Sequence, residues 1–490
     1  MADYIVKTTS GDVRGYERDG RIDFLGIPYA EAPVGELRLK RSVPKTPWKG
    51  VFDAKEYGDS PVQYNHGQVI GSEDCLTVNV QRPLTGEKLP VFVWIYGGGY
   101  NTGESSDEMY RGEAFVRDGI LFFSFNYRTN ILGFYDFTTY PGCEWVDSNC
   151  GLSDQILALN WIRENVEAFG GDPDRITIGG ESAGGASVTN MLVVPGVKGC
   201  FNQAIIESGL PNCVMTHEVA RQNVDLFLEG MHWTPEELAE HLKKDDPHMF
   251  LPGHEYVQAR HQYKNPGMFL PCPVIDDLLP ERPIDALRKG AAEGIRLIIG
   301  TNKHEGTMFV HPENTGFPNN WTMVTEMVEK NGNTDTLPVL ISHYHKQEEP
   351  FISFATDWAF EMPAVKVASA QSKWSSDVWM YRYELVTKTG IETGWKASHA
   401  FELPFVFEKP DHPFSHFELD GEPSDLFEKM CRNIHGDWVR FMKTGDPNAD
   451  WERFSEEAQN VRIFDRETRT EILDRSEMMN AWGDYRFYEK

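Results

Sequence analysis

The chain reads as an α/β fold, with a mostly parallel central sheet flanked by helices, and three observations point there. Leu89–Tyr96 and Ile120–Asn126 are continuous apolar runs, the pattern of strands buried on both faces. Beyond the second run, Leu152, Ile156, Leu159, Ile162 and Val166 recur every three or four residues, which predicts a helix closing at Gly170-Gly171. Then comes Arg175–Gly179, a β-branched run read as a buried strand. It leads into Gly180-Glu181-Ser182-Ala183-Gly184-Gly185 and a helix-leaning stretch from Ala186 to Val194. A Gly-x-Ser-x-Gly between strand and helix turns so sharply that its neighbours have no room for a Cβ, and it presents the serine Oγ over the sheet edge.

The other elements follow in order. Residues 4 to 50 read as short strands and turns around Ile5-Val6, Gly11–Gly15 and Phe24–Tyr29. Ala204–Glu207, Arg296–Gly300 and Val378–Tyr383 are further strands, and their alternation with helices implies a parallel sheet. The spans of about 216–270 and 306–375 are polar, helix-leaning and poor in strand signals. They are expected to be helical insertions over the carboxyl ends of the strands, where open α/β sheets bind ligands. Glu422–Lys443 is a closing helix with Leu426, Met430, Ile434, Trp438 and Phe441 on one face. No Pro/Gly/Ser linker divides the chain, so residues 1–490 are expected to form a single domain.

Composition narrows the function. A formal net charge of −28 over 490 residues repels phosphates, which argues against nucleic acid or anionic membrane partners. No apolar run reaches transmembrane length. Met1–Lys7 lacks a basic stretch followed by an apolar core, so no leader peptide is expected. Seven scattered cysteines do not make a disulfide framework, although Cys143 and Cys150 could close a small loop; a reducing cytoplasm is the expected setting. The oligomeric state is not legible.

Ser182 needs a base, and the base needs a third group to fix its tautomer. In folds with this serine turn the chain order is serine, acid, histidine. Glu305, in the loop after the Arg296–Gly300 strand, is the best acid; Asp276 and Asp277 are rivals in a turn that reads as structural. His399, in the loop beyond Val378–Tyr383, is the best base, although among 15 histidines pattern alone does not secure it. His304 adjoins Glu305, but neighbours in an extended loop point apart. No His-x-x-x-His carries a glutamate partner, so zinc hydrolysis has no support. Tyr96-Gly97-Gly98-Gly99-Tyr100 follows a strand and can offer backbone N–H groups to an oxyanion. A phosphate-cradling reading fails, for no Gly-Lys-Ser/Thr follows.

Taken with Phe24–Ala30, Pro33–Arg38, Ser72–Leu76 and Phe169–Pro173, these motifs make the chain resemble the type-B carboxylesterases, which include bacterial p-nitrobenzyl esterases and animal cholinesterases. The resemblance runs from about residue 4 to 445. It implies an α/β-hydrolase fold and a serine hydrolase that cleaves small to medium carboxylic esters through an acyl-serine, with no cofactor or metal. Ser182, Glu305 and His399 would form the triad, and Gly98, Gly99 and Ala183 the oxyanion hole. Ser208 would support the acid, and Arg38 with Glu73 and Arg128 with Asp154 would be structural ion pairs. Met215, Met308 and Phe309 match positions that shape the acyl side in cholinesterases. Val62 stands where secreted relatives carry the cysteine that pairs with the one matching Cys75. Tyr96 replaces a frequent histidine, and Thr129-Asn130-Ile131 departs from the usual residues. A lipase with interfacial activation and a non-catalytic adhesion protein on the same fold are the alternatives.

Overall fold

A computed structural model describes residues 4–65, 67–265, 267–310, 317–331 and 334–483. Its centre is a sheet whose parallel part runs, in spatial order, Leu121–Phe125, Leu89–Ile95, Gly171–Glu181, Gln203–Glu207, Arg296–Asn302, Val378–Tyr383 and Asn460–Phe464. Antiparallel strands extend it at both ends. Thr77–Pro83, Arg21–Pro28, Gly11–Arg18 and Tyr4–Thr8 lie beyond Leu121–Phe125, and Arg469–Ile472 closes the other edge.

The central strands form because their side chains have apolar neighbours on both faces. Val91, Phe92, Val93, Trp94 and Ile95 are wholly buried, as are Leu121, Phe123 and Phe125. The predicted helix is present as Cys150–Asn165. The closing helix, Leu426–Thr444, packs on the sheet through the face that carries Met430, Ile434, Trp438 and Phe441. Two polar ties hold it there: Gln203 Nε2 donates to the Phe441 carbonyl at 2.7 Å, and Trp438 Nε1 donates to Glu207 Oε1 at 2.8 Å.

Several boundaries differ from expectation. The serine strand is longer, Gly171–Glu181, and its helix begins at Ala183 and ends at Met191. That helix starts at the turn itself, because the sharp reversal already places the first N–H groups. Thr77–Pro83, Asn460–Phe464 and Arg469–Ile472 were not foreseen as strands. Their polar residues alternate with apolar ones in short runs, and the sheet next to them supplies the pairing. The two polar spans are helical where described. The first holds His217–Met231, Pro235–Lys244 and Leu251–Lys264; the second holds Trp321–Lys330, Leu337–Tyr344, Pro350–Thr356 and Met362–Ser372, with a π-turn at Asp357–Glu361.

All seven cysteines are free and buried, including Cys143 and Cys150. The two predicted ion pairs are present. Arg38 makes two 2.7 Å bonds to Glu73. Arg128 grips Asp154 with two 2.8 Å bonds, wholly buried. No helix among the described residues is long and apolar enough to cross a membrane.

Candidate active site

The chain runs from Leu89–Ile95 outward to Leu121–Phe125, then crosses back to Gly171–Glu181 on the other side of the first strand. Such a reversal of strand order opens a crevice at the carboxyl ends of the strands. The glycine loop after Ile95 and Ser182 after Glu181 meet there.

Ser182 takes φ 58° and ψ −122°, a left-handed conformation that only a tightly constrained turn maintains in a residue with a Cβ. Its amide donates to the Glu207 carbonyl at 3.0 Å, which ties the turn to the next strand. Gly184 makes the turn possible: a Cβ there would lie 2.0 Å from the Ile95 carbonyl oxygen. Gly98 has φ 101°, and a Cβ on it would meet the Thr102 carbonyl at 2.4 Å. The N–H groups of Gly98 and Gly99 donate to no backbone carbonyl among the described residues, while the Gly98 carbonyl accepts from Asn101 and Thr102. Ala183 opens the helix, so its N–H is one of the unpaired donors of a helix start.

Glu305 begins a short 3₁₀ turn directly after the Arg296–Asn302 strand and is fully buried. Its Oε1 accepts from Ser208 Oγ and from the Asn302 amide, both at 2.6 Å. Its Oε2 meets His399 Nδ1 at 2.5 Å. With Nδ1 committed to the carboxylate, His399 Nε2 is left without a hydrogen-bond partner. The structure thus brings Glu305 and His399 together and sends His304 elsewhere. The His304 ring lines a separate polar pocket with Lys303, Asp357 and Lys396, and burial pulls it down to a pKa of about 4. Asp276 and Asp277 hold Arg41, and Asp276 also accepts from Ser148.

Three more buried carboxyls, Glu181, Glu207 and Glu402, interact with one another, and Glu181 and Glu402 with Glu305 as well; sequence reasoning gave none of them a role. Glu181 Oε1 lies 3.0 Å from His399 Nε2 without the geometry of a hydrogen bond. Burial, and then the charges of Glu305 and Glu207, push the Glu181 carboxyl well up. Burial raises Glu207 to about 8, and burial with the neighbouring carboxyls raises Glu402 well above the usual range. Glu305 differs from these three in meeting Ser208 Oγ, the Asn302 backbone N–H and His399 Nδ1 together.

The departures from the usual pattern have structural answers. Tyr96 and Tyr127 stack at 4.4 Å and clamp each other: each hydroxyl donates to the other residue's carbonyl, at 3.0 and 2.8 Å. Asn130 ties the glycine loop down. Its amide donates to the Tyr100 carbonyl, and its Nδ2 donates to the carbonyls of Val62 and Asn101.

Beside the histidine, Phe309 packs edge-on to the His399 ring at 5.2 Å, and Phe360 of the π-turn packs on the same ring at 4.8 Å. Met308 is half-buried beside Phe309. Met215 is only 2% exposed, and its sulfur accepts from Asn223 on the following helix. A small cavity of about 20 Å³ lies next to Phe269, which packs on Phe309 and Phe360; Leu210, Cys213, Cys272, Phe269 and Trp358 line it, and Met215 does not. Phe269, Trp358 and Phe360 were invisible as site residues, because in sequence they are ordinary core aromatics.

Known proteins resemble the chain along most of its length. The model of the carboxylesterase family matches residues 2–482. The chain is 35% identical to the para-nitrobenzyl esterase of Bacillus subtilis, over 97% of this chain and 98% of that one. It is 31% identical to the phenmedipham hydrolase of Pseudarthrobacter oxydans, over 91% of each. It is also 31% identical to the cholinesterase of Mus musculus, over 91% of this chain and 80% of the other. A solved PNB esterase superposes with a TM-score of 0.85 at 34% identity, covering 98% of this chain and 100% of that one. The chain belongs to the carboxylesterase family.

Proposed function

We propose that this chain is a serine esterase in which Ser182, His399 and Glu305 act as nucleophile, base and orienting acid. The observation that carries the reading is the relay of hydrogen bonds from Ser208 and Asn302 through Glu305 to His399 Nδ1, with Nε2 left open beside the strained serine turn. His399 Nε2 takes the Ser182 proton as Oγ attacks the ester carbonyl. The oxyanion is met by the N–H groups of Gly98, Gly99 and Ala183. His399 then gives its proton to the departing alcohol, and an acyl-serine remains. Water, activated by the same imidazole, releases the acid and restores the serine. Glu305 holds the imidazole and stabilises its charged form.

Residues 1–490 are read as one domain in which the two helical spans are insertions over the site. Phe360, from the second span, supports this by packing on His399. Phe309, Met308 and Met215 are read as bounding the acyl side, with Phe309 nearest the histidine. The seven free thiols support a reducing, cytoplasmic setting. Likeness to the bacterial relatives makes para-nitrobenzyl esters the first substrates to try, alongside acetate, butyrate and octanoate esters of one alcohol. In the decisive experiment Ser182→Ala should stay folded by circular dichroism, lose hydrolysis and resist an organophosphate that labels the native chain on Ser182. Hydrolysis retained by the alanine variant would overturn the reading.

A further inference from the structure

Two of the free cysteines lie side by side next to the site. Met215 and Val274 pair as a parallel bridge: the Met215 amide donates to the Pro273 carbonyl and the Ile275 amide to the Met215 carbonyl, both at 2.9 Å. Two residues back along each segment stand Cys213 and Cys272, which places them next to each other on one face. Both line the small cavity next to Phe269. Burial and then the adjoining Cys213 thiol push the Cys272 thiol up, as direct neighbours do. The two thiols lie within hydrogen-bond reach of each other, close enough for a sulfur–sulfur bond to form between them. Cys213 is the more open of the two, at 8% exposure against 0%.

We propose that Cys213 and Cys272 form a dithiol site beside the acyl side of the active centre, which hydrogen peroxide closes to a disulfide and a trivalent arsenical bridges. The Cys213 sulfur, as thiolate, attacks one peroxide oxygen. The O–O bond breaks, hydroxide leaves and takes up the proton the thiol has lost, and a sulfenic acid forms. The Cys272 sulfur attacks the Cys213 sulfur; the S–S bond forms, the S–O bond breaks, and the leaving hydroxide takes the Cys272 proton as water. Two thiols are oxidised by two electrons and one peroxide is reduced to two waters.

The bond ties two segments that frame the centre. Leu210–Cys213 follows Ser208, whose hydroxyl holds Glu305. Phe269, close to Cys272, packs on Phe309 and Phe360, the two rings against His399. Joining the segments shifts that wall. The effect on turnover rests on the esterase reading; the covalent step does not.

The experiment treats the full chain with hydrogen peroxide and maps peptides without reductant. A Cys213–Cys272 linked peptide is expected, reversed by dithiothreitol, with titratable thiols falling by two. Phenylarsine oxide should bind one to one and lose that binding in Cys213→Ser and in Cys272→Ala. Hydrolysis of a butyrate ester, each form measured against its own untreated activity, should fall by about tenfold after peroxide in the native chain and stay within about twofold in either variant. Peroxide products confined to single-cysteine sulfinic or sulfonic acids, or arsenical binding that survives both substitutions, would overturn the site. A linked peptide with unchanged butyrate hydrolysis would overturn its influence on catalysis. A chain that cross-links but hydrolyses no ester would leave the dithiol standing and sink the esterase reading alone.

Discussion

His399 and His304 show how little residue identity decides by itself. His304 adjoins Glu305 just after a strand, and His399 lies in the loop well beyond the next one, yet only His399 meets Glu305. His304, next to Glu305 in sequence, turns into a polar pocket where burial disfavours its charged form. His399→Ala should therefore cost several orders of magnitude in kcat, and His304→Ala far less. Glu305→Gln should lose roughly 10⁴-fold by analogy with the acid-to-amide change in a serine triad, with the fold retained. Steady-state kinetics on one ester checks all three, and His304→Ala proving the worst would overturn the assignment of the base.

At the scale of the element, the site depends on two turns that glycine alone can make and on one asparagine that locks the glycine loop. Gly184→Ala would press a methyl group against the Ile95 carbonyl, 2.0 Å away. That contact cannot be relieved by a rotamer, because both partners are backbone. The variant should express poorly or melt well below the native chain, in a thermal scan with Gly436→Ala as control, a helical position with open space around it. Asn130→Ala should act differently. It removes the donors that hold the Val62 and Asn101 carbonyls and loosens the glycine loop. Its kcat should fall about ten- to hundredfold with little change in KM, since the loop's N–H groups matter most at the oxyanion stage.

For the whole molecule, the cost of burying acids sets a pH dependence. Glu418 is buried against Tyr383, and burial raises it to about 8. Unfolded, it titrates near ~4.3. Between those values the folded chain keeps a proton that the unfolded chain releases, so stability falls as pH rises through that window and levels off above it. Glu418→Gln removes this loss. Its melting temperature relative to the native chain should climb from pH 5 to pH 8 and change little beyond; a constant difference across that range would show that Glu418 is already ionised in the fold.

What the sequence by itself determined is local and periodic. The buried strands, the Cys150–Asn165 helix and the strained serine turn were legible because each is written within a few residues, as apolar runs, helical spacing or glycines where no Cβ fits. The positions of Glu305 and His399 after successive strands were legible too, since the order of strands carries them to one edge of the sheet. Tertiary structure decided the rest. The last two strands, Asn460–Phe464 and Arg469–Ile472, form because the sheet beside them offers unpaired backbone groups, which no local signal announces. The buried ring of Glu181, Glu207 and Glu402, the aromatic wall of Phe269, Phe309 and Phe360, and the meeting of Cys213 with Cys272 join residues far apart in the chain. Contact, burial and mutual charge arise only once the sheet has brought those segments to the same side.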